Sequence, residues 1–165
     1  MSVALNRRGP RLVAIALAAL AATAAPSGAA GVKLRTMSLL AVNHYTGFEG
    51  YRVGTSGPQA VGSGFAGEGT LYRWAGRTRG ARVGSVRILC TFTSAGSITQ
   101  PAWMYCASTI SLPAGRLELA GFVPDTSLIT FSIVGGTGAY LTLHGDVEVN
   151  GIAPDRFSDV IHLAS

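Results

Sequence analysis

Two short apolar stretches flank a run of glycines in residues 128–149, and this pattern constrains the fold more than any other part of the chain. Residues 128–134 are rich in β-branched and aromatic side chains, and residues 141–149 alternate apolar with polar side chains. Between them lies the run Gly-Gly-Thr-Gly at 135–138. Glycine adopts positive φ angles without steric cost, so the run predicts the turn of a β-hairpin. A phosphate-binding loop would need a helix directly after the glycines, and the sequence indicates none.

The second strand of this hairpin is predicted to have two different faces, because side chains alternate along a β-strand. One face would carry the apolar residues Leu141, Leu143, Val147 and Val149. The other would carry Thr142, His144, Asp146 and Glu148.

The chain beyond residue 31 shows no helical period and consists of strand-like segments separated by turn residues. Besides the hairpin, strands are predicted at residues 36–45, 70–74, 83–93, 103–112, 116–123 and 156–163. The glycine-rich residues 48–69 predict a long loop, and residues 75–81 predict an arginine-rich hairpin tip. Seven or eight strands at this spacing predict an antiparallel sandwich or barrel. A closed barrel would also leave no strand edge unpaired.

The first 30 residues are predicted to be a secretion signal. A basic start, MSVALNRRGPR, precedes the apolar run LVAIALAALAATAA and the small residues of 26–30. This run is shorter than the roughly 20 residues that span a bilayer. We therefore expect a secreted protein with domain boundaries at 1–30 and 31–165 and no stable membrane anchor after processing. A retained anchor and a start at Met37 are the two alternatives.

Composition and charge favour one folded domain that does not bind nucleic acid. The 165 residues include 48% apolar and only 13% charged side chains. The formal net charge of +5 includes Arg7, Arg8 and Arg11 of the signal segment, which leaves ten basic against eight acidic residues elsewhere. A domain near +2 without a lysine-rich run does not indicate a nucleic-acid partner.

A series of short motifs follows in order along residues 36–165. The motifs are Leu71-Tyr72, Arg82-Val83-Gly84, Cys90, Leu119-Ala120-Gly121, and Gly135-Gly136-Thr137-Gly138-Ala139-Tyr140 with Gly145. This series resembles the allene oxide cyclase and dirigent family of barrels, including its secreted actinobacterial members. The resemblance implies an all-β fold, a single antiparallel eight-stranded closed barrel, around an apolar cavity. Bacterial barrels that resemble this family close rings in polyketide products, including [4+2] cycloadditions.

The resemblance also implies two catalytic candidates, Asn43 and Cys90. The positions that hold a glutamate and a tyrosine in the plant cyclases are Ala41 and Val123 here. Because the acid and the phenol are both missing, a true allene oxide cyclase activity is not expected. The acidic residues of dirigent proteins are not identifiable in the sequence either.

Cys90 and Cys106 lie on consecutive predicted strands, at equal distances from the connection between them. Antiparallel pairing would place the two residues opposite each other, which predicts a disulfide in an exported protein. A reactive thiolate at Cys90 is the alternative.

Strand alternation and family position predict which side chains line the cavity. The predicted substrate-binding residues are Leu39, Tyr45, Val86, Ile88, Phe92, Trp103, Tyr105, Leu117, Leu119 and Val123, with Tyr140 and His144 as weaker candidates. Packing in the core or at an interface is the alternative for the aromatic residues, and a satisfied buried amide is the alternative for Asn43.

No metal or cofactor is expected, because His44, His144 and His162 lack ligand spacing and no common catalytic motif is present. Arg73, Arg77, Arg79, Arg82 and Arg87 are expected to be solvated at a hairpin tip, with an anion contact as the alternative.

The predicted function is a cofactor-independent cyclase or isomerase that steers ring closure of an apolar, unsaturated, polyketide-like or lipid-like small molecule. Such a site acts by holding a flexible substrate in one reactive conformation. The alternatives are a secreted barrel that binds an apolar small molecule without catalysis and a structural surface module. Homo-oligomerisation stays open.

Overall fold

The computed structural model describes residues 33–48, 58–97 and 99–165. The predicted secretion signal at 1–30 lies outside these ranges. Within them, no helix is long and apolar enough to cross a bilayer.

Eight antiparallel strands form a closed barrel in which each strand pairs with the next along the chain and the last pairs with the first. The strands are β1 (Arg35–Phe48), β2 (Gly64–Ala75), β3 (Thr78–Ser94), β4 (Trp103–Leu112), β5 (Gly115–Pro124), β6 (Leu128–Gly136), β7 (His144–Ala153) and β8 (Arg156–Ala164). One short 3₁₀ helix, Gly138–Tyr140, lies between β6 and β7. The predicted all-β eight-stranded barrel is confirmed, and the sandwich alternative is wrong because β1 and β8 pair along eight residues and close the sheet.

Side chains alternate between the barrel interior and its outer surface, as closure of a sheet requires. In β4 the residues Met104, Cys106, Ser108 and Ile110 are buried, whereas Trp103, Tyr105 and Ala107 between them are exposed. The inward residues of all strands form a single apolar core.

β2 begins earlier than the sequence predicted, because residues 64–69 form a strand and not a loop. Gly67 and Gly69 pair with Tyr45 and Asn43 of β1. A Cβ atom at position 67 would lie 2.5 Å from Cδ1 of Tyr45, and one at position 69 would lie 2.6 Å from the carbonyl oxygen of Val42. Glycine occurs here because neighbouring atoms approach the backbone closely, and not because the chain turns.

The glycine run between β6 and β7 forms a longer connection than the predicted tight turn. Gly135 and Gly136 belong to β6, and only Gly138 of the run has a positive φ, of 61°. The 3₁₀ helix then leads to β7, which begins at His144. Leu141 therefore lies outside the strand and is exposed, so its predicted place on the apolar face is wrong.

The arginine-rich tip between β2 and β3 is a short turn at the barrel end opposite the β5–β6 and β7–β8 connections. Gly76 takes a positive φ of 65° there. The guanidinium carbon of Arg79 lies 4.8 Å from the centre of the Tyr72 ring. The arginines of the tip are exposed, as the sequence predicted.

Candidate functional site

The interior of the barrel contains an apolar cavity of about 200 Å³. All eight strands contribute to its wall, with Asn43, Tyr45, Phe65, Val86, Ile88, Cys90, Met104, Ser108, Ile110, Leu119, Ile129, Phe131, Val147, Val149, Phe157 and Asp159. Three further lining residues, Asp125, Thr126 and Pro154, belong to the β5–β6 and β7–β8 connections. The cavity therefore extends to the end of the barrel where these connections lie.

Asp159 is a buried carboxyl group in the apolar wall of this cavity. It lies between Leu39 of β1 and Val149 of β7, which are directly opposite it on the two neighbouring strands. Its side chain is only 4% exposed, and its Oδ1 atom has no hydrogen-bond partner among the described residues. Burial raises the pKa of Asp159 from 3.8 to about 7 because the charged form loses its hydration.

No described residue of the cavity wall is a lysine, an arginine or a histidine. A nearby cation would stabilise the carboxylate and oppose the effect of burial. Because none is present in the wall, Asp159 is substantially protonated at neutral pH and can donate a proton or a hydrogen bond. A carboxyl group with a pKa near the working pH is suited to general acid–base catalysis.

Asn43 and Tyr45 form a second polar group in the wall. Nδ2 of Asn43 donates a hydrogen bond to the hydroxyl oxygen of Tyr45 at 2.7 Å. Oδ1 of Asn43 is buried without a hydrogen-bond partner among the described residues. Buried amide oxygens normally accept a hydrogen bond, so this atom is available to a donor group of a ligand.

Gly69 provides the space for this amide. A Cβ atom at position 69 would collide with Oδ1 of Asn43. The main chain of Asn43 is also held by the β7–β8 connection, because the backbone N–H of Asn43 donates a hydrogen bond to the carbonyl oxygen of Asp155 at 2.8 Å. The β1–β2 pairing and the β7–β8 connection together hold Asn43 in place.

Three aromatic rings of the cavity wall contact one another. The centres of the Tyr45 and Phe65 rings are 5.4 Å apart, and those of Tyr45 and Phe157 are 5.9 Å apart. Both pairs meet edge to face, which is a favourable geometry for aromatic rings. The rings provide a firm apolar surface beside the Asn43 amide.

Cys90 and Cys106 form a disulfide between β3 and β4, and the two residues are directly opposite each other. The predicted pairing is therefore confirmed. The alternative role for Cys90 as a catalytic thiolate is wrong, because its sulfur is bonded to Cys106 and cannot ionise.

The structure brings many of the predicted site residues together. Asn43, Tyr45, Val86, Ile88, Cys90 and Leu119 line the cavity. Leu39, Phe92, Leu117 and Val123 are buried in the core but do not line the cavity.

Trp103 and Tyr105 were predicted to line the cavity, and this placement is wrong. Their side chains are 48% and 43% exposed, since both occupy outward positions of β4. The ring of Tyr105 contacts that of Phe122 on the outer surface, with 5.1 Å between centres. Trp103 and Tyr105 share one face of β4, as predicted, but this is the outer face, whereas Cys106 lies on the inner face.

The two weaker candidates also lie outside the cavity. His144 is exposed on β7, and Tyr140 lines a separate pocket with Leu39 and Leu112. Neither residue belongs to the candidate site.

Asp159 is the site residue that the sequence interpretation missed. In β8 the buried residues Asp159, Ile161 and Leu163 alternate with the partly exposed Ser158, Val160 and His162. The position of Asp159 on the same face as Ile161 and Leu163 was therefore the sequence signal that could have revealed it. The acid was considered missing because the family's glutamate position is Ala41, whereas Asp159 lies on the neighbouring strand, two residues beyond Phe157, the β8 partner of Ala41.

Comparison with known proteins gives matches among solved structures alone. No protein-family model and no curated protein matches the chain. A pyocyanin demethylase is 27% identical, with a TM-score of 0.63, over 78% of this chain and 99% of that protein.

Two other kinds of barrel superimpose on the chain at lower identity. The Diels–Alderase AbmU from Streptomyces koyangensis is 19% identical over 83% of this chain and 70% of its own, with a TM-score of 0.64. The pterocarpan synthase dirigent protein PsPTS1 is 14% identical over 79% of this chain and 94% of its own, with a TM-score of 0.58. The chain therefore has the eight-stranded barrel fold of these cyclases and dirigent proteins, and the predicted resemblance is confirmed at the level of the fold.

Proposed function

We propose that the protein is a cofactor-independent cyclase or isomerase that acts on an apolar, unsaturated small molecule inside the barrel. The observation that carries this proposal is Asp159, a carboxyl group buried without a charged partner in the wall of an apolar cavity. A barrel that only stored an apolar molecule would gain nothing from the cost of burying this acid. Such groups concentrate at catalytic sites.

Asp159 in its neutral form donates a hydrogen bond to a carbonyl oxygen of the substrate. This bond withdraws electron density from the conjugated system and lowers the barrier to ring closure, and it is strong because the cavity excludes water. In an isomerisation the same carboxyl group gives its proton to one atom and recovers a proton from another, so no proton is gained or lost overall.

Asn43 orients the substrate. Oδ1 of Asn43 accepts a hydrogen bond from a hydroxyl or N–H group of the substrate, while Nδ2 holds the Tyr45 hydroxyl. The aromatic rings of Tyr45, Phe65 and Phe157 pack against the apolar part. Holding the two reacting ends together removes much of the entropic barrier to ring closure.

The cavity volume limits the part of the substrate that can be enclosed. At about 200 Å³ it is smaller than the usual 300–1,000 Å³ of small-molecule sites. We infer that the reacting segment lies inside, while the remaining part of the substrate extends past Asp125 and Pro154 towards solvent.

The Cys90–Cys106 disulfide supports the proposal that the protein works outside the reducing cytoplasm. Secretion through the N-terminal segment is part of this proposal, and N-terminal sequencing of the protein from its native host tests it. A new N-terminus between about residues 25 and 31 is expected. Recovery of Met1 on a cytoplasmic protein would contradict secretion.

The proposed activity is tested by incubating the full chain with linear polyenes that carry a carbonyl group and by following the cyclised products with mass spectrometry. Exchange of Asp159 for Leu keeps a similar shape but removes both the hydrogen-bond donor and the transferable proton, so turnover is expected to fall by about 10²–10⁴-fold, with binding retained. Asp155→Asn, at an exposed carboxylate beside Arg156, is the matched control and leaves turnover unchanged. If the chain binds these molecules without accelerating their reaction over buffer, the function of a carrier is favoured. If it binds no member of an apolar panel, the function of a structural module is favoured.

Demethylation is the second candidate, because the pyocyanin demethylase is 27% identical to this chain over 78% of this chain and 99% of its own length. Pyocyanin is the probe, and mass spectrometry follows the loss of one methyl group. Loss of the methyl group with the wild type but not with Asp159→Asn would favour this activity over ring closure.

A further inference from the structure

Three side chains with metal-binding atoms meet on the outer surface of the barrel, across the wall from the cavity. Asp146 and Glu148 lie on β7, and His162 lies on β8. One ligand atom from each residue lies within 4.8 Å of those of the other two. Nε2 of His162 is 4.0 Å from Oε1 of Glu148.

The pairing of β7 with β8 creates this cluster. Asp146 is directly opposite His162, and Glu148 projects from the same face of β7 two residues further on. The inward residues between them, Val147 and Ile161, are fully buried and fix the backbone of both strands. The three side chains therefore project from a rigid support, even though their ends are accessible to solvent.

The surroundings leave the negative charge of the cluster uncompensated. The β6 residues opposite Asp146 and Glu148 are Ser132 and Thr130, and the β8 residue opposite Glu148 is Val160. No lysine or arginine occupies these neighbouring positions. Among the described residues, His162 is the one basic side chain with a nitrogen within 4.0 Å of a carboxylate of the cluster.

We propose that Asp146, Glu148 and His162 bind a divalent transition-metal ion, with Zn²⁺ as the best fit. One imidazole nitrogen and two carboxylate oxygens form a mixed donor set, whereas Mg²⁺ and Ca²⁺ prefer oxygen atoms alone. Ligand atoms of tetrahedral zinc are about 3.4 Å apart, so small side-chain rotations suffice to bring the three atoms together. The ion relieves the repulsion between the two carboxylates and keeps a fourth position for water.

This site is independent of the proposed cyclase activity. Its residues occupy outward positions, whereas Val147, Val149 and Asp159 of the same two strands face the cavity. Sequence spacing among the three histidines did not indicate the site, because only one histidine takes part and its partners lie on another strand. The proposed site of Asp146, Glu148 and His162 therefore differs from the expectation, based on the sequence, that the protein binds no metal.

Titration of the full chain with Zn²⁺ against a competing fluorescent chelator tests the proposal. The wild type is expected to bind one equivalent and to unfold at a higher temperature with Zn²⁺ present. His162→Ala and Asp146→Asn each remove one of three ligands and should weaken binding at least about tenfold. His44→Ala, at an exposed histidine of β1, is the matched control and leaves the affinity unchanged.

Absence of Zn²⁺ binding by the wild type would overturn the proposal. Equal affinities of the wild type and His162→Ala would also overturn it, as would equal weakening by His44→Ala. Both ligand variants lie at the surface and should fold, and circular dichroism checks this. A parallel titration with Mg²⁺ is expected to show no saturable binding, and Mg²⁺ binding as tight as that of Zn²⁺ would overturn the assignment of the ion.

Discussion

Asp159 combines a carboxyl group with surroundings that oppose its ionisation. Its neighbours in the sheet are the apolar residues Leu39, Val149, Phe157 and Ile161, and burial raises its pKa to about 7. In the unfolded chain this pKa returns to about 3.8. Proton uptake therefore favours the folded state, and ionisation opposes it.

The stability of the protein should consequently depend on pH through Asp159. Its favourable contribution is complete below about pH 3.8, falls as the pH rises, and is lost once the pH passes about 7. The change over this window is of the order of 4 kcal/mol. Urea unfolding of the wild type and of Asp159→Asn at a series of pH values measures it.

The difference in unfolding free energy between these two proteins should change between pH 4 and pH 7 and stay flat above about pH 8. Asp155→Asn, which removes an exposed carboxyl group, is the matched control. A constant difference across the range would mean that Asp159 ionises normally.

Gly69 fixes the Asn43 amide through its lack of a side chain. Gly69→Ala would place a Cβ against Oδ1 of Asn43 and 2.6 Å from the carbonyl oxygen of Val42. We expect a loss of about 1–3 kcal/mol in unfolding free energy and weaker ligand binding. Thermal unfolding and a binding titration measure the two effects.

Gly151→Ala is the matched control in β7, because the nearest atom to its added Cβ would be 3.6 Å away. This variant should keep the stability within about 0.5 kcal/mol. If both variants lose equal stability, the space above Gly69 is not what fixes Asn43.

Family position and strand alternation together identified residues on the inner face of the barrel, of which only some line the cavity. Asn43, Val86 and Cys90 lie in the cavity wall as predicted. Asp159 was missed because an acidic residue in a strand is normally exposed, although its alternation with Ile161 and Leu163 along β8 places it on the buried face. Trp103 was misplaced because alternation groups residues by face without saying which face is inside.

At the scale of the strands, the disulfide joins β3 and β4 near the middle of their pairing. It closes a loop with a sequence separation of 16. Loop-closure entropy predicts that the bond stabilises the folded state by about 3 kcal/mol. Reduction of the wild type should lower its unfolding free energy by about this amount.

Urea unfolding with and without a reductant measures this effect, and mass analysis confirms the state of the thiols. The Cys90→Ala and Cys106→Ala double variant is the control, because its stability should not respond to the reductant. An equal response of both proteins would mean that the reductant acts elsewhere.

Strand prediction was best where apolar and polar residues alternate regularly. The bounds predicted for β4 agree with the structure, those of β5 differ by one residue at each end, and those of β8 differ by one residue at the C-terminal end. β2 was predicted to begin too late because Gly64, Gly67 and Gly69 are typical of loops. Their function is to admit the Phe48, Tyr45 and Asn43 side chains of the neighbouring strand, and no property of β2 alone encodes that contact.

At the scale of the whole molecule, the cavity determines what the barrel can bind. Val86 is buried in its wall, and Val86→Trp would fill much of the space beside Ile110 and Asn43. We expect ligand uptake to be lost while the barrel still folds. Fluorescence titration with an apolar ligand and circular dichroism measure the two properties.

Arg77→Ala at the exposed hairpin tip is the control and should alter neither uptake nor folding. Normal uptake by a folded Val86→Trp protein would mean that ligands bind outside the cavity.

The closed arrangement of the molecule could be predicted only in part from residue patterns. Alternation and turn spacing were compatible with a sandwich as well as a barrel, because neither shows whether the first strand meets the last. The pairing of Arg35 with Leu163 and of Val42 with Arg156 decides this, and such contacts across the whole chain leave no local signal. The resemblance to a known family supplied that information.

The continuous sheet limits which parts of the molecule can change during evolution. Every strand is bonded to two neighbours, so the wall tolerates little alteration. Asp125, Thr126 and Pro154, by contrast, border the cavity from connections that carry no part of the sheet. Replacing these short connections would allow a descendant to accept different small molecules without changing the sheet.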